Sequence, residues 1–222
     1  MSHFYKDLFA LCRQKRYFAL TVHEHPDGDS LGSMFALGIA LKKMGKEVIY
    51  CCDEAYPNSY RFLPESEYII NKIPDKWPLE VLIALDCGDL HRLAFDFDCL
   101  KDRQFILVNI DHHQTNSCYG NINIVEEKAS ATGEIIYRII NKISEINLPI
   151  AICLMVAITT DTGFFRYSNT TPDSLHIAAE LVNLGIDLSR LAEQVEERKK
   201  FSTLKLLGHL LTNLEIDPTR RV

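Results

Sequence analysis

The chain has 222 residues, 47% of them hydrophobic and 24% charged, with 24 basic against 30 acidic side chains and a formal charge of −6. Nearly half apolar content with balanced charge excludes a disordered chain, and no apolar run approaches the roughly 20 residues of a membrane span. The length fits one large domain, or one domain plus the start of another. Seven cysteines without a C-x-x-C pair, and an N-terminal MSHFYKDLFALCRQKRY lacking the apolar core of a secretory signal, point to a cytoplasmic protein with reduced thiols.

In chain order, Tyr17 to Val22, Glu47 to Cys52, Val81 to Asp86 and Phe105 to Asp111 are short runs rich in β-branched and aromatic residues. The middle two are almost wholly apolar, as buried parallel strands are. Helices are expected over Leu31 to Met44, closed by Gly45 and Lys46, and over Thr132 to Ile143, Pro149 to Thr160, Thr171 to Leu184, closed by Gly185, and Asp187 to Glu197. The alternation predicts an α/β fold, a mostly parallel central sheet flanked by helices, with a C-terminal helical part. Phe201 to Leu214 reads as a further long helix, and NLEIDPTRRV as the start of a strand and turn. The expected division is a domain over 1–197 and a linker helix with the start of a second domain over 198–222.

In an open α/β sheet, ligands bind outside the carboxyl ends of the strands. The first run leads into HEHPDGDSLGS, with His23, Asp27 and Asp29; the third ends in Asp86; the fourth ends in Asp111, His112 and His113; and the helix from Pro149 ends in Asp161. A single Asp of this kind is ordinarily a turn or cap residue, and Asp29 or Ser30 would serve as the N-cap of the next helix. Several carboxylates converging on one cleft would instead repel and raise one another's pKa unless cations relieved them. Aspartate oxygens with two imidazoles and no thiolate suit Mn²⁺ or Mg²⁺ better than a structural zinc. Two such ions would clamp the attacking and leaving oxygens of a phosphoryl transfer.

HEHPDGDSLGS, ALDCGDLHRL, NIDHHQTN and ITTDTGFFRYSNTT resemble, in order and spacing, the four motifs of the DHH phosphoesterase superfamily, over roughly Tyr17 to Leu184. The tail GFFRYSNTTP is most similar to the branch containing the oligoribonucleases called nanoRNases, which also dephosphorylate 3′-phosphoadenosine 5′-phosphate. The resemblance implies a Rossmann-like domain and two divalent metal ions, Mn²⁺ before Mg²⁺. It puts His23 and Asp27 on one metal, Asp29, His112 and Asp161 on the other, and Asp86 between them. It gives His113 an approach to the substrate phosphate, and leaves Asp111 as the partner that orients an imidazole. The nucleophile it implies is a water between the metals, so Cys87 is read as a packing residue, with Gly88 allowing close backbone approach. His25 stands where the family often has Asn and is read as a loop or substrate-side residue. Members of this branch usually carry a second, DHHA1, domain, and the chain ends where that domain would begin.

Arg166, whose fork suits a phosphate, and Ser168 are expected to meet the substrate. Ser130, Thr132 and Gly133 are read as an N-cap whose amides could equally hold an anion, and Arg92 as a cleft-rim residue or a surface ion pair. The expected substrates are short RNA oligonucleotides or a small phosphorylated nucleotide. An inorganic pyrophosphatase or polyphosphatase, and a non-catalytic metal- or nucleotide-binding fragment, are the alternatives. The apolar C-terminal helices would either form a homodimer interface or cover the sheet. A charge of −6 is unfavourable for an anionic substrate, but two divalent ions would cancel the charge of Asp27, Asp29, Asp86 and Asp161.

Overall fold

Strand β4, Val81–Leu85, is buried at every position, as an apolar VLIAL run must be when helices cover both faces of a parallel sheet. Its neighbours are β1, Tyr17–Thr21, and β5, Ile106–Asp111. The computed structural model describes residues 4–52, 57–197 and 201–213. With β2 (Glu47–Cys51), β3 (Ile69–Ile70) and β6 (Ile122–Val125), these strands form a six-stranded sheet in the order β3-β2-β1-β4-β5-β6, parallel throughout. The chain builds outward from β1 to β3, then returns to lay β4 on the other side of β1. That reversal opens a crevice at the carboxyl ends of β1 and β4.

Helix α1 (Phe4–Gln14), not anticipated from the sequence, buries Leu8, Leu11 and Cys12, one face at three- and four-residue spacing. Helix α2 (Gly28–Lys43) starts three residues before the expected Leu31 because Asp27 is its N-cap, in place of the expected Asp29 or Ser30. The Asp27 side chain accepts from Ser30 N at 3.0 Å, and the Ser30 hydroxyl accepts from Asp27 N at 2.9 Å. Helices α3 (Thr132–Ile143), α4 (Leu148–Asp161) and α5 (Pro172–Asn183) follow within a residue or two of expectation. Asn147 caps α4, and a Thr171–Ser174 box caps α5.

Helix α4 is apolar on nearly all sides and buried from Cys153 to Thr159, a core helix and not an amphipathic one. Small residues let it approach its neighbours. A Cβ on Gly32 of α2 would stand 2.4 Å from the Cys153 carbonyl, one on Gly28 2.0 Å from Thr160 Oγ1, and one on Gly133 of α3 2.4 Å from Ala157 Cβ. Tight packing of α2, α3 and α4 carries Asp161, the last residue of α4, to the crevice.

The chain divides into compact units at Met1–Asp187 and Leu188–Val222, ten residues before the expected boundary after 197. The second contains α6 (Leu188–Ala192), a π-helical turn (Glu193–Glu197) and α7 (Phe201–Thr212). The strand expected in NLEIDPTRRV lies, from Leu214 onward, outside the described residues. Among the described residues, no helix is long and apolar enough to cross a membrane.

Candidate metal centre

Three segments leaving the sheet converge on the crevice. After β1, His23 is held by an antiparallel bridge to Leu93, and its Nδ1 lies 2.6 Å from the Glu24 carbonyl. A carbonyl only accepts, so Nδ1 carries the proton and the Nε2 lone pair is available to a metal. That Nε2 stands 3.5 Å from Asp86 Oδ2 and 3.8 Å from Asp27 Oδ1.

Asp86 follows β4. Its amide donates to the Ile110 carbonyl at 2.9 Å, and its backbone is left-handed, with φ +55°, a conformation costing a β-carbon residue on the order of 1 kcal/mol. While Oδ2 faces His23, Oδ1 accepts from Thr132 Oγ1 at 3.0 Å and faces His112 Nε2 at 3.7 Å. The two oxygens of one buried carboxylate thus face different imidazoles, Oδ2 toward His23 and Oδ1 toward His112 and, also at 3.7 Å, His113.

At the other end, His112 repeats the His23 arrangement. Its Nδ1 lies 3.2 Å from the Ala129 carbonyl, and its Nε2 stands 3.2 Å from Asp161 Oδ2 and 3.9 Å from Asp29 Oδ2. Asp29 is fully buried, accepting from Thr132 N at 2.6 Å, Gly133 N at 2.8 Å and Ser33 Oγ at 3.2 Å. The first two are amides at the start of α3, whose N-cap, Ala131, has no capping side chain. The expected cap formed by Ser130, Thr132 and Gly133 is therefore replaced. The anion at these amides is Asp29, reaching from α2 to cap a different helix.

Asp111 is buried and turned toward its neighbours. Its Oδ1 accepts from His112 N at 2.8 Å and lies 2.7 Å from His113 Nδ1, while Oδ2 accepts from Asn116 Nδ2 at 2.5 Å. With Nδ1 committed to Asp111, His113 has Nε2 left for a ligand. The cleft of about 460 Å³ is lined by His23, Asp27, Asp86, His113 and Asp161, together with Gly88, Asp89, Arg92 and Thr115.

The charges fit this layout. Burial opposes a charge on His23, but its hydrogen bonds to Asp27 and Asp86 outweigh burial and push its pKa up to about 10. His112 is likewise disfavoured as a cation by burial but raised to about 9 by Asp161 and Asp86. Burial raises Asp29 well above the usual carboxyl range, and the charges of Asp86 and Asp161 add to the effect. Asp86 is raised too, mainly by burial. Asp27 goes down despite burial, held by His23 and the Ser30 amide. Such a group holds protons that divalent cations would replace.

The donors match hard cations. His23, Asp27 and Asp86 form one group of atoms within 4.8 Å of one another, and Asp29, His112 and Asp161 form another. Asp86 with His112 and His113 forms a third grouping, and the His113 Nδ1 in it, 3.7 Å from Asp86 Oδ1, also lies 2.7 Å from Asp111 Oδ1. Oxygen and imidazole donors without a thiolate suit Mn²⁺ or Mg²⁺.

Arg166 and Ser168 are not among the residues lining the cleft; the Arg166 Nε donates to the Gly163 carbonyl at 2.6 Å, and Ser168 is exposed. The left-handed turn Gly163 to Phe165 redirects the chain there. Beside Asp161, the same motif supplies Asn169, whose Nδ2 donates to the Asp161 and Ser130 carbonyls, both at 3.0 Å. His25, with φ +54°, is absent from the cleft lining. Cys87 is buried, its thiol pushed up to about 11 mainly by burial, which suits packing and not nucleophilic attack. A Cβ on Gly88 would meet only ordinary contacts, at 3.6 Å or more, so no close approach requires glycine there.

Residues 18–158 match the family described as DHH family, N-terminal domain. The bifunctional oligoribonuclease and PAP phosphatase NrnA of Thermus thermophilus is 34% identical over 196 residues, covering 88% of this chain and 58% of that protein. The corresponding protein of Bacillus subtilis is 28% identical over 207 residues, covering 90% of this chain and 64% of its own length. An exopolyphosphatase-related protein from Bacteroides fragilis superposes with a TM-score of 0.85 at 26% identity, covering 95% of this chain and 65% of that structure. The chain thus spans less than two thirds of each of these relatives.

Proposed function

The chain belongs to the DHH family, and from that premise we propose that its cleft is a two-metal phosphoesterase site acting on short oligoribonucleotides and on 3′-phosphoadenosine 5′-phosphate. One observation carries the reading: Asp86 turns Oδ2 to His23 and Oδ1 to His112, the disposition of a carboxylate shared by two cations. His23, Asp27 and Asp86 would hold the first, and Asp86, Asp29, His112 and Asp161 the second, with Mn²⁺ as the proposed ion. Bound there, the two ions would supply charge neutralisation and a water acidic enough to attack phosphorus near neutral pH.

The remaining work falls to the chain's own groups. The carbonyls of Glu24 and Ala129 fix the tautomers of His23 and His112. The α3 amides and the Thr132 hydroxyl hold Asp29 and Asp86 in place. Asp111, steadied by Asn116, keeps the proton on Nδ1 of His113 and favours its cationic form. His113 Nε2 then donates to a phosphoryl oxygen as negative charge develops. The nucleotide preference is drawn from the relatives named oligoribonuclease and PAP phosphatase.

The test is hydrolysis by the purified chain with Mn²⁺, using a ribodinucleotide, 3′-phosphoadenosine 5′-phosphate and pyrophosphate. Release of mononucleotide or phosphate from the first two, abolished by a chelator and restored by Mn²⁺, is expected. Hydrolysis of pyrophosphate alone would transfer the assignment to the pyrophosphatase class.

A further inference from the structure

Arg92 has no task in the chemistry above, yet it is the only Arg or Lys among the described residues lining the cleft. It ends a short 3₁₀ turn, Leu90–Arg92, begun by the Asp89 carboxylate, which accepts from His91 N at 2.9 Å. The turn is tied to the segment that carries His23. Glu24 N donates to the Arg92 carbonyl at 2.6 Å, Ala94 N to the Val22 carbonyl at 2.9 Å, and His23 bridges Leu93. The guanidinium donates through Nε to Glu24 Oε1 at 3.3 Å. That bond uses the inner edge of the fork and leaves the two terminal nitrogens, the pair that grips an oxyanion, for a ligand.

A cleft of about 460 Å³ is far larger than a single phosphoryl group needs and falls in the range of small-molecule sites, roughly 300–1,000 Å³. The acidic groups around His23 and His112 would be neutralised by two cations and so take one phosphoryl group. A second anionic group in the same cleft meets the fixed charge of Arg92.

We propose that Arg92 receives a second, non-scissile phosphate of the substrate and so sets a preference for nucleotides bearing two phosphoryl groups. The assignment rests on the phosphoesterase reading of the same cleft. A role limited to the ion pair with Glu24 is the rival, and that pair is half exposed and of small worth.

The experiment compares kcat/KM for 3′-phosphoadenosine 5′-phosphate and adenosine 3′-monophosphate, which share the scissile phosphate and differ in the second one, in wild type, Arg92→Ala, Arg92→Lys and Glu24→Ala. The wild type should prefer the bisphosphate, and Arg92→Ala should lose about tenfold or more on it while staying within about twofold on the monophosphate. Arg92→Lys should retain part of the preference, and Glu24→Ala should keep it. Equal losses on both nucleotides, no loss on either, or a Glu24→Ala variant that reproduces Arg92→Ala would overturn the proposal. Should the wild type hydrolyse neither nucleotide and not the ribodinucleotide either, the catalytic reading fails on its own. Calorimetric binding of the same two nucleotides to wild type and Arg92→Ala then decides the Arg92 assignment separately, with selective loss of bisphosphate affinity supporting it and unchanged relative affinity refuting it.

Discussion

The two ends of the cleft are built from the same side-chain types and held in opposite ways. At the His23 end, Asp27 is partly open to solvent, caps its own helix and has a lowered pKa. At the His112 end, Asp29 is sealed among helices α2, α3 and α4, takes two amides from a helix a hundred residues away, and has a strongly raised pKa. The open end must give up the proton of His23 to bind a cation. The closed end must give up those of both His112 and the buried Asp29, and its geometry depends on tertiary packing.

The variant that should erase the contrast is Asp86→Asn, because Asp86 alone faces both imidazoles. Both ends should lose cation affinity, and phosphoesterase turnover should fall by about a thousandfold, the scale of removing a principal electrostatic contributor. Calorimetric Mn²⁺ titration alongside kinetics checks this.

Proton exchange predicts a pH dependence. His23 and His112 have folded pKa values raised to about 10 and about 9. Their stabilisation of the metal-free fold is present below their ordinary value near 6.5 and is lost as pH rises through the raised values. The raised carboxyls of Asp29 and Asp86 act in the same direction, because the folded state holds their protons more tightly and loses stability as those protons leave. Cations replace these protons, so the Tm gain on adding Mn²⁺ should grow steadily from pH 6 to pH 8.5. A gain independent of pH would contradict proton exchange at both ends.

Packing dependence is sharpened by Gly32→Ala. Its Cβ would meet the Cys153 carbonyl at 2.4 Å, so α4 must shift, at about 1–3 kcal/mol of stability by thermal unfolding. Cation affinity should weaken at the Asp161 end more than at the His23 end. The smallest effect is expected for Asn169→Ala, which removes the link between the Asp161 and Ser130 carbonyls. About 1 kcal/mol should be lost, seen as a several-fold weaker second cation with the first unchanged.

The same contrast separates what was legible in the sequence from what was not. Strands β1, β4 and β5 were readable because burial leaves apolar runs with the acidic and imidazole residues standing at their ends, and β2 was readable from its short VIYC run. Strand β6 was hidden by polar residues in NINIV, and β3 is only two residues long. The start of α2 was misplaced because Asp27 both caps that helix and faces His23. The amides of Thr132 and Gly133 could not be assigned to Asp29 from local spacing, since the bonds span more than a hundred residues. The tie of Asn169 to the Asp161 carbonyl was not singled out, because an amide side chain in a turn carries no distinctive chemistry of its own.

Anomalous diffraction at the manganese edge from crystals grown with Mn²⁺ tests the central claim most directly. The account predicts two peaks flanking the Asp86 carboxylate, one among His23, Asp27 and Asp86, the other among Asp29, Asp86, His112 and Asp161. A single peak, or one ligated by His113 with Asp29 left out, would contradict it.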